Sequence, residues 1–291
     1  MIDYAAARAV ALVVQTGSFE AAARALNVSR SAVSQRVRNL EERIGAVLIE
    51  RAAPCIATEK GAWLCRHMEQ VGMLENALLA QLPGIGGGDV SPVTLSIATN
   101  ADSLGTWFLP AVSAFTRGTH TLLNIALDDE EHTADWLRSG RVVAAVTALA
   151  QPVQGCTVRP LGVMRYVATA SPAYMQRWFP DGVTPATLAL APALTFNQKD
   201  RLQQDWARQA FGEQIAFPTH WLPSTQGFLD ASIAGLGWAL NPVQLVGDHL
   251  AAGRLVALVP EVTLDRPLFW QMNRLALAEF RVGVGVSRHE L

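Results

Sequence analysis

Six polar side chains between residues 29 and 38 stand at spacings suited to reading a nucleic acid. Ser31, Ser34, Gln35 and Arg38 share one face of a helical repeat, and Ser29 and Arg30 sit at its start. Arginine and glutamine form paired hydrogen bonds with guanine and adenine edges, and serine hydroxyls reach bases or phosphates. The helix N-terminus itself favours a phosphate. On the opposite face Val33, Val37, Leu40 and Ile44 recur at steps of four, three and four, which predicts a buried stripe. An isolated amphipathic helix would show the same two faces, so the preceding residues decide. Phe19, Ala22, Ala23 and Leu26 predict a short helix with one apolar side. Gly17 suits the end of the helix before it, Ser18 its N-cap and Asn27 its close. Two capped helices at a tight corner form a helix-turn-helix, whose second helix enters the major groove of DNA.

A second set of residues is suited to a small charged molecule. DDEEH (Asp128–His132) concentrates four acids behind an apolar run. IATNADSLGTWFLP (Ile97–Pro110) leaves a strand and opens a helix, offering Thr99, Asn100, Asp102 and Ser103. FNQKD (Phe196–Asp200) and PSTQG (Pro223–Gly227) add Phe196, Asp200, Thr225 and Gln226. In open α/β sheets, ligands sit beyond the carboxyl ends of strands and against helix N-termini, where these stretches fall. Structural roles stay open for the same residues. Asp102 and Ser103 suit a helix start, Glu130 and Glu131 a solvated first turn, and Phe196 and Trp107 a core.

Both sets need elements to hold them. Residues 3–15 predict a first helix with Ala7, Val10, Val13 and Val14 inward, and the segments 47–49 and 55–57 predict a two-stranded wing. Thr58 then caps a helix to about Leu82, along which Leu64, Met68, Val71, Leu74, Leu78 and Leu82 fall near heptad spacing. The core of one domain gives such a row, as does pairing with a second chain; the glycine-rich break that follows favours pairing. That break, PGIGGGDVSP (Pro83–Pro92), is a linker. It follows a helix where a nucleotide fingerprint must follow a strand. From Val93 the pattern alternates strands (93–98, 122–127, 142–147, 163–168, 193–196, 238–241) with helices (103–117, 131–139, 172–178, 200–210, 225–235, 243–252), which predicts an α/β sheet.

Composition narrows the class. The 291 residues suffice for about two domains. No apolar run reaches the roughly 18 residues of a membrane span, and no signal peptide is visible, so a cytoplasmic protein is expected. The net charge of −2 divides into +2 over residues 1–60 and −4 over the rest, placing basic charge around the proposed recognition helix. The six histidines show no HExxH spacing and no GxSxG elbow occurs, so neither an enzyme nor a metal site is expected. Cys55, Cys65 and Cys156 form no CxxC pair, and Cys156 reads as a loop residue. An architectural DNA-bending protein is a rival, but some 200 residues of α/β sheet are hard to explain without a cleft.

SRSAVSQRVRNLEERIGAVLIER, Ser29–Arg51, resembles the winged helix-turn-helix of LysR-type transcriptional regulators. NADSLGTWFLP, LDDEEHTADWLRSGRVVAAV and FPDGVT resemble the arginine- and lysine-responsive branch of that family, whose members activate basic amino-acid export. The resemblance implies a winged helix-turn-helix over 1–58, a linker or dimerisation helix over 59–82, a hinge over 83–92 and an effector-binding domain over 93–291. That domain would be two-lobed, like periplasmic solute-binding proteins, with lobe I at 93–162 and 268–291 and lobe II at 163–267. The chain would cross between lobes near Leu161–Met164 and Arg266–Phe269. It further implies a homodimer or homotetramer on a double-stranded operator, contact with RNA polymerase, and Arg51 against a phosphate. No cofactor is implied beyond a lysine or arginine effector, whose α-amino group would pair with Asp102 or Asp128 and whose side-chain cation with another acid. Two positions depart from the pattern. Gln226 stands where relatives tend to carry an acid, which leaves a neutral effector as the alternative, and Cys55 and Ile56 stand where a wing often carries a base.

Overall fold

The computed structural model describes residues 2–81, 93–117, 121–129 and 132–274. Helix α1 (Tyr4–Thr16) starts where the Asp3 carboxylate accepts the Ala6 amide and ends where Gly17 turns left-handed at φ 70°. Ser18 caps α2 (Phe19–Ala25) and Ser29 caps α3 (Arg30–Ile44), each hydroxyl accepting an amide three residues on. Asn27, at φ 51°, makes the corner between them, a conformation asparagine tolerates better than most residues. Ala7, Val10, Val13, Ala22, Val33, Val37 and Leu40 close into one core, where the alanines let the helices approach closely. Ile44 departs from its expected place in the buried stripe and is 45% exposed. It is the last residue of α3, where Gly45 turns the chain away from the core.

Strands β1 (Ile49–Glu50) and β2 (Ile56–Ala57) pair antiparallel as the wing. Glu41 ties that wing to α3, its Oε1 accepting the Leu48 and Ile49 amides at 2.8 and 3.3 Å. Thr58 accepts the Gly61 amide and starts α4 (Glu59–Gln81). Gly61 is required there: a Cβ would lie 1.9 Å from the Leu48 carbonyl oxygen. Along α4, Leu64 is buried, whereas Trp63, Leu74 and Leu78 are each more than half exposed. Leu82 and the linker expected at 83–92 lie outside the described residues.

The C-terminal part runs β3 (Val93–Thr99), α5 (Ala101–Ser103), a π-helical segment (Leu104–Phe108), α6 (Leu109–Arg117), β4 (Thr121–Leu127), α7 (Thr133–Arg138) and β5 (Ala144–Thr147). Then follow β6 (Cys156–Ala170), α8 (Pro172–Trp178), α9 (Pro185–Leu188), β7 (Ala193–Thr195), α10 (Leu202–Phe211) and β8 (Thr219–Trp221). The described chain finishes with α11 (Thr225–Ile233), β9 (Ala239–Pro242), α12 (Val243–Ala251), β10 (Val256–Ala257) and β11 (Thr263–Asn273). One mixed sheet has the order β10-β6-β11-β5-β3-β4, with β9 also on β6. Strand β11 runs antiparallel to β6 along its whole length, and both lie in the middle of the sheet, in keeping with a two-lobed solute-binding fold. Their register shifts between Leu268 and Phe269, opposite the Pro160–Gly162 stretch. Trp206, Trp238, Tyr166 and Phe108 fill the core beneath.

The strand expected at 163–168 is the middle of the longer β6, and Cys156, read as a loop residue, begins that strand and is buried. Strand β11, with Asp265, Arg266 and Pro267 inside it, has poor strand propensity and is held by pairing on both edges. The short α9, β8 and β10 carry too few residues to show a period.

Candidate nucleic-acid interface and acidic cleft

On α3, Arg30, Ser31, Gln35 and Arg38 are exposed and Ser34 is half-buried. Ser29 has a local role, capping Ala32 and bonding the Ser31 hydroxyl at 2.9 Å. The longer side chains are held by neighbours one turn on. Gln35 donates from Nε2 to Asn39 Oδ1 at 2.7 Å, and Arg38 donates from Nε to Glu42 Oε1 at 2.9 Å. Arg51 is exposed with its guanidinium carbon 5.2 Å from the Phe19 ring centroid, so the wing base adjoins the start of α2. This face offers donors and positive charge outward, the chemistry for phosphates and base edges. Asn39, unmarked by the sequence reading, orients the Gln35 amide.

The second site centres on Asp102. Thr99 is buried at the end of β3, and Asn100 caps the helix by accepting the Ser103 amide at 3.2 Å. The Asp102 carboxylate then reaches across the fold, accepting the Thr225 hydroxyl at 2.5 Å through Oδ1 and the Tyr166 hydroxyl at 2.8 Å through Oδ2. Thr225 begins α11 and Tyr166 lies mid-β6, so this acid joins three segments far apart in the chain. Burial pushes its pKa up; the two hydroxyls oppose that, and the charges of Asp200 and Asp129 add to it. Burial also raises Asp200, against the amides of Phe196 and Leu202 that its carboxylate accepts, with Asp129 again adding. Burial and neighbouring acid charge thus oppose ionisation of both Asp102 and Asp200.

The other expected residues fall differently. Asp128 has both oxygens hydrogen-bonded locally, Oδ1 by the Asp129 amide and Oδ2 by the Trp136 indole N–H; among the described residues the further acid whose charge acts on Asp102 and Asp200 is its neighbour Asp129. Gln226 is exposed and bonds Asp230 along its own helix, outside the cluster. Phe196 packs with Leu194, Phe228 and Ala239. Ser103 is fully buried and its hydroxyl has no hydrogen-bond partner among the described residues. Glu130 and Glu131 lie outside the described residues. Tyr166, deep in an apolar strand, carries no sequence signal; Asp129 was signalled by the acid run without being separable from Asp128.

Beside the cluster, a cavity of about 220 Å³ opens between Gly105–Trp107 and Gln244–Leu245. A larger one of about 450 Å³, between α7 and residues 149–154, has no acid in its lining. Burial raises the thiols of Cys65, to about 11, and of Cys156, so neither is a ready thiolate.

Comparison with known proteins supplies the rest. Residues 5–62 match the bacterial regulatory helix-turn-helix protein family of the lysR type, and residues 91–278 match the LysR substrate binding domain. The transcriptional regulator LysG of Mycobacterium tuberculosis is 43% identical over 267 residues, covering 92% of this chain and 86% of its own. Among solved structures, the C-terminal domains of a LysR family protein from Agrobacterium tumefaciens are 67% identical, covering 65% of this chain and 93% of that one at a TM-score of 0.63. Full-length LysG from Corynebacterium glutamicum, solved with arginine bound as effector, is 36% identical, covers 97% of this chain and 98% of that one, and has a TM-score of 0.63.

Proposed function

Because the chain belongs to the LysR family of bacterial transcriptional regulators, we propose that it binds operator DNA through α3 and that a basic amino acid, arginine or lysine, held by Asp102, Asp129 and Asp200, sets its regulatory state. The observation that carries the effector half is the buried Asp102 carboxylate, bonded across the fold to Thr225 and Tyr166, with its charge disfavoured by burial and by Asp200 and Asp129. Buried like charges destabilise one another, and a guest with two cationic groups relieves exactly the charge a neutral guest leaves in place. The buried Ser103 hydroxyl, unpartnered among the described residues, is the candidate donor to the guest's own carboxylate. C. glutamicum LysG with its bound arginine is the supporting precedent.

The same acid links binding to shape. Asp102 holds Thr225 of α11 and Tyr166 of β6. A cation arriving at Asp102 competes for those bonds, so occupancy shifts the seam between the two halves by the difference in affinity for its arrangements. The exposed Trp63, Leu74 and Leu78 of α4 support pairing of two chains, which sets two α3 helices on one operator about a DNA turn apart or a multiple of it. Such an assembly works in the cytoplasm, beside RNA polymerase. No helix among the described residues is long and apolar enough to cross a membrane.

Calorimetric titration with arginine, lysine and citrulline tests the effector. Citrulline keeps the shape of arginine and lacks the side-chain charge. Arginine or lysine should saturate the protein and citrulline bind about 100-fold more weakly or worse. Equal affinity for citrulline would remove the acids from recognition and sink the assignment.

A further inference from the structure

Asp129 does not place itself. Its amide donates to Asp128 Oδ1 at 2.9 Å, and Asp128 is fixed in turn by the Trp136 Nε1–H at 2.8 Å and by its own amide on the Thr99 carbonyl at 3.2 Å. The same ring carries a second group: the Arg141 guanidinium carbon lies 5.3 Å from the Trp136 centroid. The Arg141 amide also donates to the Trp136 carbonyl at 2.9 Å, so main chain and side chain both join the two residues. Between them Gly140 turns the chain at φ 65°, and there the turn meets α4. A Cβ on Gly140 would lie 3.3 Å from Arg66 Nε and 3.5 Å from its Cδ, so the Arg66 side chain rests on this turn. Burial disfavours the Arg66 charge, Glu69 favours it and Arg141 opposes it. Arg66 stands on the helix that leads from the winged helix toward the C-terminal part.

We infer that Trp136 is a positioning residue shared by the acidic cleft and the linker helix: its indole N–H sets the Asp128–Asp129 turn, and Arg141 on its ring carries the position of that turn to Arg66 of α4. The inference rests on reading Asp102, Asp129 and Asp200 as the effector site. A cation drawn to Asp129 strains the Asp128–Asp129 turn; Trp136 follows through its hydrogen bond and Arg141 follows Trp136. Contact along a route is not coupling by itself, so the test must move one end and read the other.

Hydrogen–deuterium exchange on the full chain without ligand does this. Trp136→Phe keeps an aromatic ring, a smaller one, and removes the N–H. It should speed exchange about 5-fold or more at the Asp129 amide and across residues 62–70, while the global unfolding midpoint changes little. Arg141→Ala should speed exchange in 62–70 alone, and Arg141→Lys should restore part of it. With arginine added, the wild type should slow exchange in 62–70, and Arg141→Ala should bind arginine without that slowing. Wild-type rates in either region of Trp136→Phe, or in 62–70 of Arg141→Ala, would overturn the inference. A wild type that fails to bind arginine would instead overturn the effector assignment, and the ligand-free exchange would still decide the role of Trp136.

Discussion

The outer face of α3 and the acidic cleft place charge under opposite conditions. On α3 the cations stand in water, and Gln35 and Arg38 are held only by partners one turn away, Asn39 and Glu42. Such i,i+4 pairs are worth about 0.2–0.5 kcal/mol, so they orient the side chains and release them cheaply when a phosphate or base arrives. In the cleft, Asp102 is bonded to residues 64 and 123 positions away and kept from its ordinary ionisation by burial and by two further acids. A surface of the first kind responds in small, salt-graded steps. A site of the second kind keeps unfavourable charge in the empty protein and releases it on binding, the usual conflict between stability and function at a built site.

The sharpest way to break this contrast is at Asp102. Truncating one partner of a buried charge pair costs about 2–5 kcal/mol, so Asp102→Ala should weaken arginine binding by two orders of magnitude or more in a calorimeter. Asp102→Asn should weaken it similarly while raising the melting temperature of the ligand-free protein at neutral pH. The sign follows from linkage. The folded pKa lies above the ordinary 3.8, so the native state holds this proton more tightly than the unfolded chain. Its contribution therefore falls as pH rises from the ordinary carboxylate range through the raised value. Arginine affinity should run the other way, growing with pH over that window as the acids ionise. Parallel pH trends for stability and affinity would contradict the stored-charge account.

A core change in the winged helix tests whether the two regions are energetically separate. Leu40→Ala, at a buried position, should cost about 2–5 kcal/mol of the stability of that domain by denaturant unfolding. It should leave arginine affinity within about 0.5 kcal/mol of the wild-type value, since Leu40 lies off the route from Trp136 through Arg141 to Arg66. On DNA, Gln35→Ala should lose about 1–3 kcal/mol on the preferred sequence and little on random sequence, whereas Arg51→Ala should weaken both alike. Equal losses for both variants on both DNAs would remove base reading from Gln35. The smallest effect belongs to Arg38→Ala, which should lower the slope of log affinity against log salt by about 1. An unchanged slope would mean that Arg38 stays on Glu42 in the complex.

How much of each region was legible follows the same division. The helix-turn-helix could be read because its determinants are local: Ser18, Ser29 and Gly17 act on amides and dihedrals within a few residues, and Val33, Val37 and Leu40 share a face through helical periodicity alone. Even there, the exposure of Ile44 depended on where the core ends. In the cleft, the acid run was visible but its division of labour was not, because a strand end gives Asp128 and Asp129 the same sequence signal. Trp136, eight residues on, decides between them by holding Asp128. Tyr166 could not be found at all, since a buried tyrosine in an apolar strand reads as core until a carboxylate is brought to its hydroxyl.

The sequence by itself determined the recognition helix, its caps, the alternation of strands and helices from Val93, and the stretches that border the cleft, since each rests on spacing within one element. Only the tertiary structure decided that Asp102 meets Thr225 and Tyr166, that Asp128 is bonded by the Trp136 indole, and that Gln226 turns outward. Those outcomes depend on the pairing of β6 with β11 and on the burial it brings, and neither the dielectric around a carboxylate nor the partner of its oxygens is a property of the residues next to it in the chain.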